Sequence, residues 1–231
     1  TPDDDRVAAE RLLAAARQAG FTDARLELEP VGAAYHYERT LKRPELALVA
    51  DFGAGTTDFC LMRMGEAGHG EQRARDIVGT GGVGAAGDDL DAALLEHLVC
   101  PALGKGDTYV EMGREHPIPA SYYYKLARWH HLSFLKGQRT RAELQRIGRL
   151  ARQPEGIEAL VHLIENNQGF HLHKAVEQLK IALSSAPQGE FRYVDGPVRI
   201  EARVEREQFE AWIAEQVEAI TRALDETLAS A

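Results

Sequence analysis

The sequence predicts an α/β fold, and three observations support this prediction. Two apolar runs of strand length, Leu46–Ala50 and Phe59–Met64, flank a turn that is rich in glycine and threonine. A second pair of strand-like runs, 191–194 and 198–204, is separated by an Asp-Gly pair that is typical of hairpin turns. Between and around these pairs, apolar residues recur at helical spacing.

The composition constrains the classes of function. The 231 residues are enough for one or two domains with a real core. With 27 basic and 36 acidic residues the net charge is −9, which argues against non-specific binding to nucleic acid or to an acidic membrane. The cysteines, Cys60 and Cys100, are far apart and predict neither a disulfide framework nor a zinc site. No apolar run approaches the length of a membrane span, and the expected location is the cytoplasm.

The first elements are predicted from helix caps and stops. Aspartates near the N-terminus are expected to cap a helix over about 3–19, which Gly20 ends. A short strand is predicted over Phe21–Leu28, and another helix begins within 31–37. Glu29, between these two elements, is a surface carboxylate when judged from the residues alone.

The turn between the first two predicted strands contains the main candidate site. Gly53 and Gly55 are expected to take positive φ, so that successive N–H groups point into one concavity that suits an anion. Neighbouring threonines add hydroxyl groups. The carboxylates of Asp51 and Asp58 would repel a phosphate unless a cation lies between them, which points to a magnesium-nucleotide complex. An ordinary β-hairpin with a glycine-rich turn explains the residues equally well.

The residues after this hairpin predict a third strand and a capped helix. The third strand is predicted over Arg73–Val78. Gly87, followed by two aspartates, marks the N-terminus of a helix that runs through Val99, since acidic residues offset the helix dipole there. On its own, this pattern is more typical of a flexible loop and a capped helix than of a ligand site.

The middle of the chain is predicted to be mainly helical. Helices are expected over 121–135, over 140–152 and from Pro154 onward, whereas 101–119 is expected to be irregular. A threonine and a glutamate three residues apart predict a capping box at the start of the second helix. The tyrosines and histidines of the first helix are interpreted as packing residues rather than as a stacking surface or a metal site.

A helix predicted over 168–185 carries two different stripes. Its apolar residues fall on one narrow face: Leu172, Val176, Leu179 and Leu183. Glu177, Lys180 and Ser184 lie on another stripe, within about 60° of one another. The residues alone favour a solvated polar face for this second stripe. The chain is expected to close with one long helix over 209–228.

Four stretches, in this order, resemble motifs of the DnaK-type heat-shock chaperones (heat-shock protein 70), closest to the YegD-like branch. They are Glu-Pro-Val-Gly-Ala-Ala at 29–34, Asp-Phe-Gly-Ala-Gly-Thr-Thr-Asp at 51–58, Gly-Asp-Asp-Leu-Asp at 87–91 and Glu-x-x-Lys-Ile-x-x-Ser at 177–184. The chain departs from the family pattern at Gly32, Ala54, Ala86 and Ile181. The resemblance implies a lobe of the actin-like ATPase (ribonuclease-H-like) fold with an inserted, mainly helical subdomain.

The resemblance also implies a role for each candidate residue. Asp51 would act on Mg²⁺ through water, and Glu29 with Thr56 would orient the hydrolytic water. The phosphates of ATP or ADP would be held by Gly53, Ala54, Gly55, Thr56 and Gly87. The nucleoside would be bound by Glu177, Lys180 and Ser184.

The same resemblance implies how the chain is divided. Residues 1–44 would be the tail of lobe I, 45–87 and 200–231 the core of lobe II, and 88–199 the inserted subdomain. A first phosphate-binding hairpin and an adenosine-binding loop would lie outside the chain. The chain is therefore expected to be part of a longer protein and, by itself, to bind ATP weakly and hydrolyse it negligibly.

The expected partners and the alternatives complete the interpretation. Nucleotide is the expected ligand, and unfolded polypeptide clients or co-chaperones would bind through regions outside the chain; nucleic acid and membrane are not expected as partners. One alternative is another actin-like ATPase, such as a sugar kinase or a cell-division protein. The other is a non-enzymatic scaffold that retains the fold, which Ala54 and Ala86 favour because they replace glycines of the family pattern.

Overall fold

The computed structural model describes residues 2–27, 29–65 and 75–230. It has mixed α/β composition with small antiparallel sheets, as the sequence predicts at this level. The chain forms two compact units: the first takes the described residues of 1–51, 58–82 and 223–231, and the second takes 52–57 and 83–222. The assignment of these parts to lobes of an actin-like fold stays a prediction.

Two helices open the first unit. Helix α1 spans Pro2–Gln18, which confirms the predicted helix and places residues 3–5 within its first turn. Its C-terminus is a Schellman motif, in which Gly20 has φ of 95° and the N–H of Phe21 donates to the carbonyl of Ala16 at 3.0 Å. Helix α2 spans Glu29–Glu38, which confirms the predicted helix and places Glu29 in its first turn.

The strand predicted between these helices is absent from the described residues 21–27, and Leu28 lies outside the described residues. The side chain of Phe21 is 66% exposed. A strand needs a neighbour to complete its backbone hydrogen bonds, and no described strand pairs with this segment. Ala24, Leu26 and Leu28 do alternate with polar residues, but alternation alone does not supply a neighbouring strand.

A three-stranded sheet contains the predicted glycine-rich hairpin. Strands β1 (Glu45–Phe52), β2 (Thr57–Met64) and β3 (Ile77–Val83) lie in the order β1-β2-β3, so the first two strand predictions are confirmed. The buried residues of β2 form a small core together with α2, and its members are Ala34, Cys60, Met62 and Met64.

Strand β3 is displaced from its predicted position. Arg73 and the following residue lie outside the described residues, and the strand continues through glycines that the sequence pattern marked as loop. The reason is close packing against the last helix. A Cβ at Gly79 would lie 2.7 Å from Ser230 Oγ, and one at Gly81 would lie 3.3 Å from the carbonyl oxygen of Ala223. Glycine is needed here for backbone approach rather than for a turn.

Most elements of the chain belong to the second unit. Its helices are α3 (Gly87–Leu94), α4 (Ala120–Leu126), α5 (Leu132–Leu135), α6 (Gln138–Leu150), α7 (Pro154–Glu165), α8 (Gly169–Ser185), α9 (Arg206–Trp212) and most of α10 (Ala214–Ala229). Helix α3 continues as a π-helical segment over Leu95–Val99. Two antiparallel hairpins are formed by β4 (Thr108–Glu111) with β5 (Arg114–Pro117) and by β6 (Gln188–Asp195) with β7 (Val198–Glu205).

Helix α8 lies in the main core of the second unit. The four residues of its predicted apolar stripe are all buried, which confirms the stripe. The β6–β7 hairpin packs closely against it, because a Cβ at Gly189 would lie 2.6 Å from Leu179 Cδ1. The turn of that hairpin contains Gly196 with φ of 54°, as the Asp-Gly signal predicts.

Three local predictions in the second unit are wrong. Residues 101–119 contain the β4–β5 hairpin, whose turn places Met112 and Gly113 at φ of 49° and 74°. The single helix predicted over 121–135 is broken by a 3₁₀ turn at Trp129–His131. The long closing helix is likewise interrupted between α9 and α10, at Ile213.

The predicted capping box of α6 is also wrong. The helix begins at Gln138, so Thr140 and Glu143 lie inside it. The Glu143 carboxylate instead accepts a hydrogen bond from Tyr122, and burial together with this contact raises the pKa of Tyr122 above its ordinary value. Among the described residues, none of the helices combines the length and apolar character needed to cross a membrane.

The contact between α7 and the 3₁₀ turn at Pro101–Leu103 gives a stability test. Gly156→Ala should destabilise the second unit by about 1 to 3 kcal/mol, because the new Cβ would lie 2.6 Å from the backbone nitrogen of Gly104. The control Gly32→Ala in α2 meets open space and should stabilise its unit by about 1 kcal/mol. Urea unfolding followed by circular dichroism measures both changes. A stabilising effect of Gly156→Ala would contradict the close packing.

Candidate functional site

The loop between β1 and β2 is a tight, exposed turn. The N–H of Gly53 donates to the carbonyl of Thr56 at 2.9 Å and closes the loop. Neither Gly53 nor Gly55 lies in the left-handed region, so the expected positive φ values are wrong. A Cβ at Gly53 would lie 3.1 Å from the Thr56 carbonyl oxygen, so this position is restricted by close approach rather than by φ.

The loop is joined to the start of α3 by two backbone hydrogen bonds. The N–H of Gly87 donates to the carbonyl of Gly53 at 3.2 Å, and the N–H of Asp88 donates to the carbonyl of Ala54 at 2.8 Å. The first N–H groups of a helix have no partner within the helix. The loop carbonyls satisfy two of them, so the loop and the helix N-terminus form one structural unit.

Buried contacts hold the base of this arrangement. The Thr57 side chain is fully buried, and its hydroxyl donates to the Ala85 carbonyl at 2.8 Å. The N–H of Ala86 donates to the carboxylate of Asp89 at 3.3 Å, which caps α3 from within its first turn. Asp89 therefore acts as the N-terminal signal that the sequence pattern predicted.

Lys180 reaches this helix start from α8. Its Nζ lies 2.8 Å from Asp91 Oδ1 and donates to the Gly87 carbonyl at 3.3 Å. A Cβ at Gly87 would lie 3.3 Å from the Gly53 carbonyl oxygen and 3.7 Å from Lys180 Nζ. Glycine at position 87 therefore lets the loop, the helix and the lysine approach one another.

The Lys180–Asp91 ion pair is mostly removed from water. The two side chains are 23% and 18% exposed. Burial raises the pKa of Asp91 above its ordinary value, Lys180 opposes the rise, and the nearby Glu177 adds to it. An ammonium group has three donors, and Asp91 and the Gly87 carbonyl account for two of them.

A cavity of about 300 Å³ lies between α3 and α8 in the second unit. Its lining residues are Asp88, Asp91, Trp129, Phe170, His173, Lys174 and Glu177. The indole N–H of Trp129 donates to Asp88 at 2.9 Å, and the Nε2 of His173 lies 2.8 Å from the Leu126 carbonyl. Burial lowers the pKa of His173, so its neutral form is favoured. The cavity brings Glu177 beside Asp91, the partner of Lys180.

The structure brings together only some of the predicted site residues. Gly53, Ala54 and Lys180 each contact the start of α3 at Gly87 or Asp88, and Glu177 lies beside the Lys180–Asp91 pair. The exposed Ser184 donates its hydroxyl to the Ile181 carbonyl within α8, at 2.7 Å. Gly55 and Thr56 lie at the exposed tip of the same loop.

The other predicted residues belong to the first unit. Glu29 is exposed in the first turn of α2, and Asp51 is half-buried near the end of β1. In the part of the chain that the structure describes, no three side chains of His, Cys, Asp or Glu converge as a metal-ligand group. A Mg²⁺ ion that keeps most of its waters requires only one or two carboxylates, and Asp51 fits such a role chemically.

Sequence reasoning missed two residues that build the site. Asp91 was identified as part of a helix-start motif, but its pairing with Lys180 joins residues far apart in the sequence and leaves no local pattern. Thr57 was counted as a loop hydroxyl, whereas it is a buried anchor. Its position as the first residue of an apolar strand was the available signal. A comparison of this chain with models of known protein families found no match.

The ion pair gives a stability test with a defined pH dependence. Lys180→Met should destabilise the second unit by about 2 kcal/mol at neutral pH, because it leaves the buried Asp91 carboxylate without its cation. Without the lysine, the pKa of Asp91 in the folded protein rises further above its value in the unfolded chain. The free energy of unfolding then falls as the pH rises through that pKa. The deficit should therefore shrink on acidification.

Lys174→Met is the matched control for this test, because Lys174 is an exposed lysine on the same helix. It should change stability by less than about 0.5 kcal/mol. Urea unfolding at several pH values measures both variants. A pH-independent deficit in Lys180→Met would contradict the proposed electrostatic cause.

Proposed function

We propose that this chain is part of the nucleotide-binding domain of a DnaK-like ATPase and that the loop at 53–56, Gly87 and Lys180 bind the phosphates of ATP or ADP. The observation that carries the proposal is the direct contact of these groups, which the sequence places far apart. Four motifs of the resemblance, in family order, support the same function.

The loop tip offers hydrogen-bond donors suited to a phosphate. Within the described residues, the N–H groups of Ala54 and Gly55 donate to no other backbone group, and both residues are exposed. Lys180 keeps one further N–H and contributes positive charge near Gly87. Backbone amides together with one lysine form a typical anion-binding arrangement.

The remaining roles follow from the resemblance and belong to the same proposal. Asp51 would hold Mg²⁺ through water, and the metal would neutralise phosphate charge during phosphoryl transfer. Glu29 and Thr56 would orient the attacking water. Glu177 and Ser184 would bind the nucleoside, which agrees with the position of Glu177 beside the cavity at Asp91. Polypeptide clients or co-chaperones and a cytoplasmic location complete the proposal.

One observation favours the non-enzymatic scaffold as a second candidate. The N–H groups of Gly87 and Asp88 are already bonded to the loop, so the start of α3 does not offer them to a phosphate. Asp91 also neutralises much of the charge of Lys180. A scaffold would keep these internal contacts for stability alone. Another actin-like ATPase, such as a sugar kinase, would share the phosphate contacts and differ in its second substrate.

A titration with Mg-ADP followed by amide NMR chemical shifts tests nucleotide binding even when affinity is low. The amides of 53–56, Gly87 and 177–184 should shift together and saturate in the millimolar range. Gly87→Val should abolish these shifts, since its side chain would fill the space beside Lys180. Shifts that are absent or scattered over the chain would contradict the proposal and select the scaffold.

A second test separates chemistry from binding. In a form of the protein that hydrolyses ATP, Thr56→Ala should lower kcat by about tenfold or more with little change in nucleotide affinity, because the hydroxyl would act on the attacking water. Thr57→Ala is the matched control, since it removes the buried hydrogen bond to Ala85 and should lower stability rather than kcat. Unchanged kcat in Thr56→Ala would remove Thr56 from the mechanism.

A further inference from the structure

A segment of the second unit combines exposed rings with positive charge. Residues 118–152 contain eight of the chain's 27 lysines and arginines but only one of its 36 acidic residues. That single acid, Glu143, is already engaged by Tyr122. The exposed rings and cations of residues 124–141 are called the 124–141 surface below. The net charge of −9 for the whole chain does not describe this surface.

The rings of the 124–141 surface form one continuous cluster. The centroid of His131 lies 5.8 Å from that of Tyr124, 4.4 Å from that of His130 and 5.7 Å from that of Phe134. Trp129 extends the cluster, 5.8 Å from His130. The side chains of Tyr124, Trp129 and Phe134 are 50%, 58% and 62% exposed. Of the three tyrosines interpreted as packing residues, Tyr122 and Tyr123 are buried, whereas Tyr124 is exposed.

Cations surround this cluster. The Arg128 guanidinium lies 4.0 Å from the centre of the Tyr124 ring. Partial desolvation and the positive charges of His130, Arg128 and Lys125 lower the pKa of His131, so His131 is surrounded mainly by positive charge. One carboxylate, Asp88, lies at the edge of the cluster, where it accepts from Trp129 and lies 3.9 Å from His130.

Further basic residues follow the cluster at the start of α6. Lys136, Arg139 and Arg141 are exposed, and the first turn of this helix contains no acidic residue. Positive charge at a helix N-terminus opposes the helix dipole and reduces stability. Within the described residues, these three side chains form no ion pair that would offset the cost. Local stability therefore does not explain them, whereas an anionic partner would.

We propose that the 124–141 surface binds single-stranded nucleic acid. Exposed aromatic rings offer stacking platforms for unpaired bases, and the neighbouring cations suit the phosphate backbone. An acidic polypeptide would use the cations but not the rings, and a duplex would keep its bases away from the rings. The inference does not rest on the proposed nucleotide site. Trp129 borders the cavity at Asp91, but it is not among the residues proposed to bind nucleotide, and neither are the other rings and cations of the 124–141 surface.

Fluorescence anisotropy with a labelled oligothymidylate and a labelled oligouridylate of about 20 nucleotides tests this proposal. Both should bind at about 50 mM salt and weaken steeply toward about 200 mM salt. A duplex of equal length, polyglutamate and vesicles containing phosphatidylserine should bind at least about tenfold more weakly. Equal binding of any of these three, or no binding of the single strands, would overturn the proposal.

Variants separate the two contributions to binding. Lys136→Gln, Arg139→Gln and Arg141→Gln together should weaken binding about tenfold or more and flatten its salt dependence. They should not impair folding, because they remove charge that opposes the dipole of α6. The control Arg192→Gln, Arg199→Gln and Arg203→Gln makes the same charge change on the exposed side of the β6–β7 hairpin and should leave affinity within about twofold.

The contribution of the aromatic rings to binding is measured with a separate variant. Trp129→Ala with Phe134→Ala should weaken binding about fivefold or more while leaving the salt dependence unchanged, because stacking releases no counterions. Thermal unfolding of each variant reports whether it is folded. If the charge variant and its control weaken binding equally, or if the ring variant binds like the unchanged protein, the 124–141 surface is not the binding site.

Discussion

Two backbone hydrogen bonds determine the candidate site, because they join a hairpin loop to the N-terminus of a helix that lies some thirty residues later in the chain. The carbonyls of Gly53 and Ala54 satisfy the first N–H groups of α3, and the buried hydroxyl of Thr57 holds the segment that precedes the helix. Within the described residues, the N–H groups of Ala54 and Gly55 at the exposed loop tip donate to no other backbone group. Position 87 is restricted by the loop, because a Cβ there would lie 3.3 Å from the Gly53 carbonyl oxygen, and it would also contact the Lys180 ammonium at 3.7 Å.

The candidate site and the 124–141 surface differ in how their positive charges are paired. Lys180 is paired with Asp91 in a partly buried setting, so its charge is largely offset, and a bound phosphate would rely on amide donors and a cation. The 124–141 surface has the opposite character, since Lys136, Arg139 and Arg141 are exposed and form no ion pair within the described residues, and the carboxylate of Asp88 lies at its edge. The two proposals therefore place different modes of phosphate binding in different parts of one unit: backbone amides in one and side-chain charge in the other.

The sequence predicted the elements that periodicity or turn chemistry specifies. The β1–β2 hairpin, the Asp-Gly hairpin and the apolar stripe of α8 belong to this group. Strand β3 was misplaced because its glycines serve close packing against α10, which no local pattern reveals. The β4–β5 hairpin was missed because its turn places a methionine at positive φ, against the usual preference. The Asp91–Lys180 pair depends on tertiary contact. The sequence pattern likewise did not separate the exposed Tyr124 from the buried Tyr122 and Tyr123.

The most direct test of the account is a measurement of scalar coupling across hydrogen bonds by NMR. The account predicts a coupling between the amide nitrogen of Asp88 and the carbonyl carbon of Ala54, whose bond is 2.8 Å long, and a weaker one from Gly87 to Gly53 at 3.2 Å. Observation of both would establish that the loop and the helix start form one unit. Rapid exchange of the Asp88 amide with solvent, with no coupling to Ala54, would contradict the candidate site at its foundation.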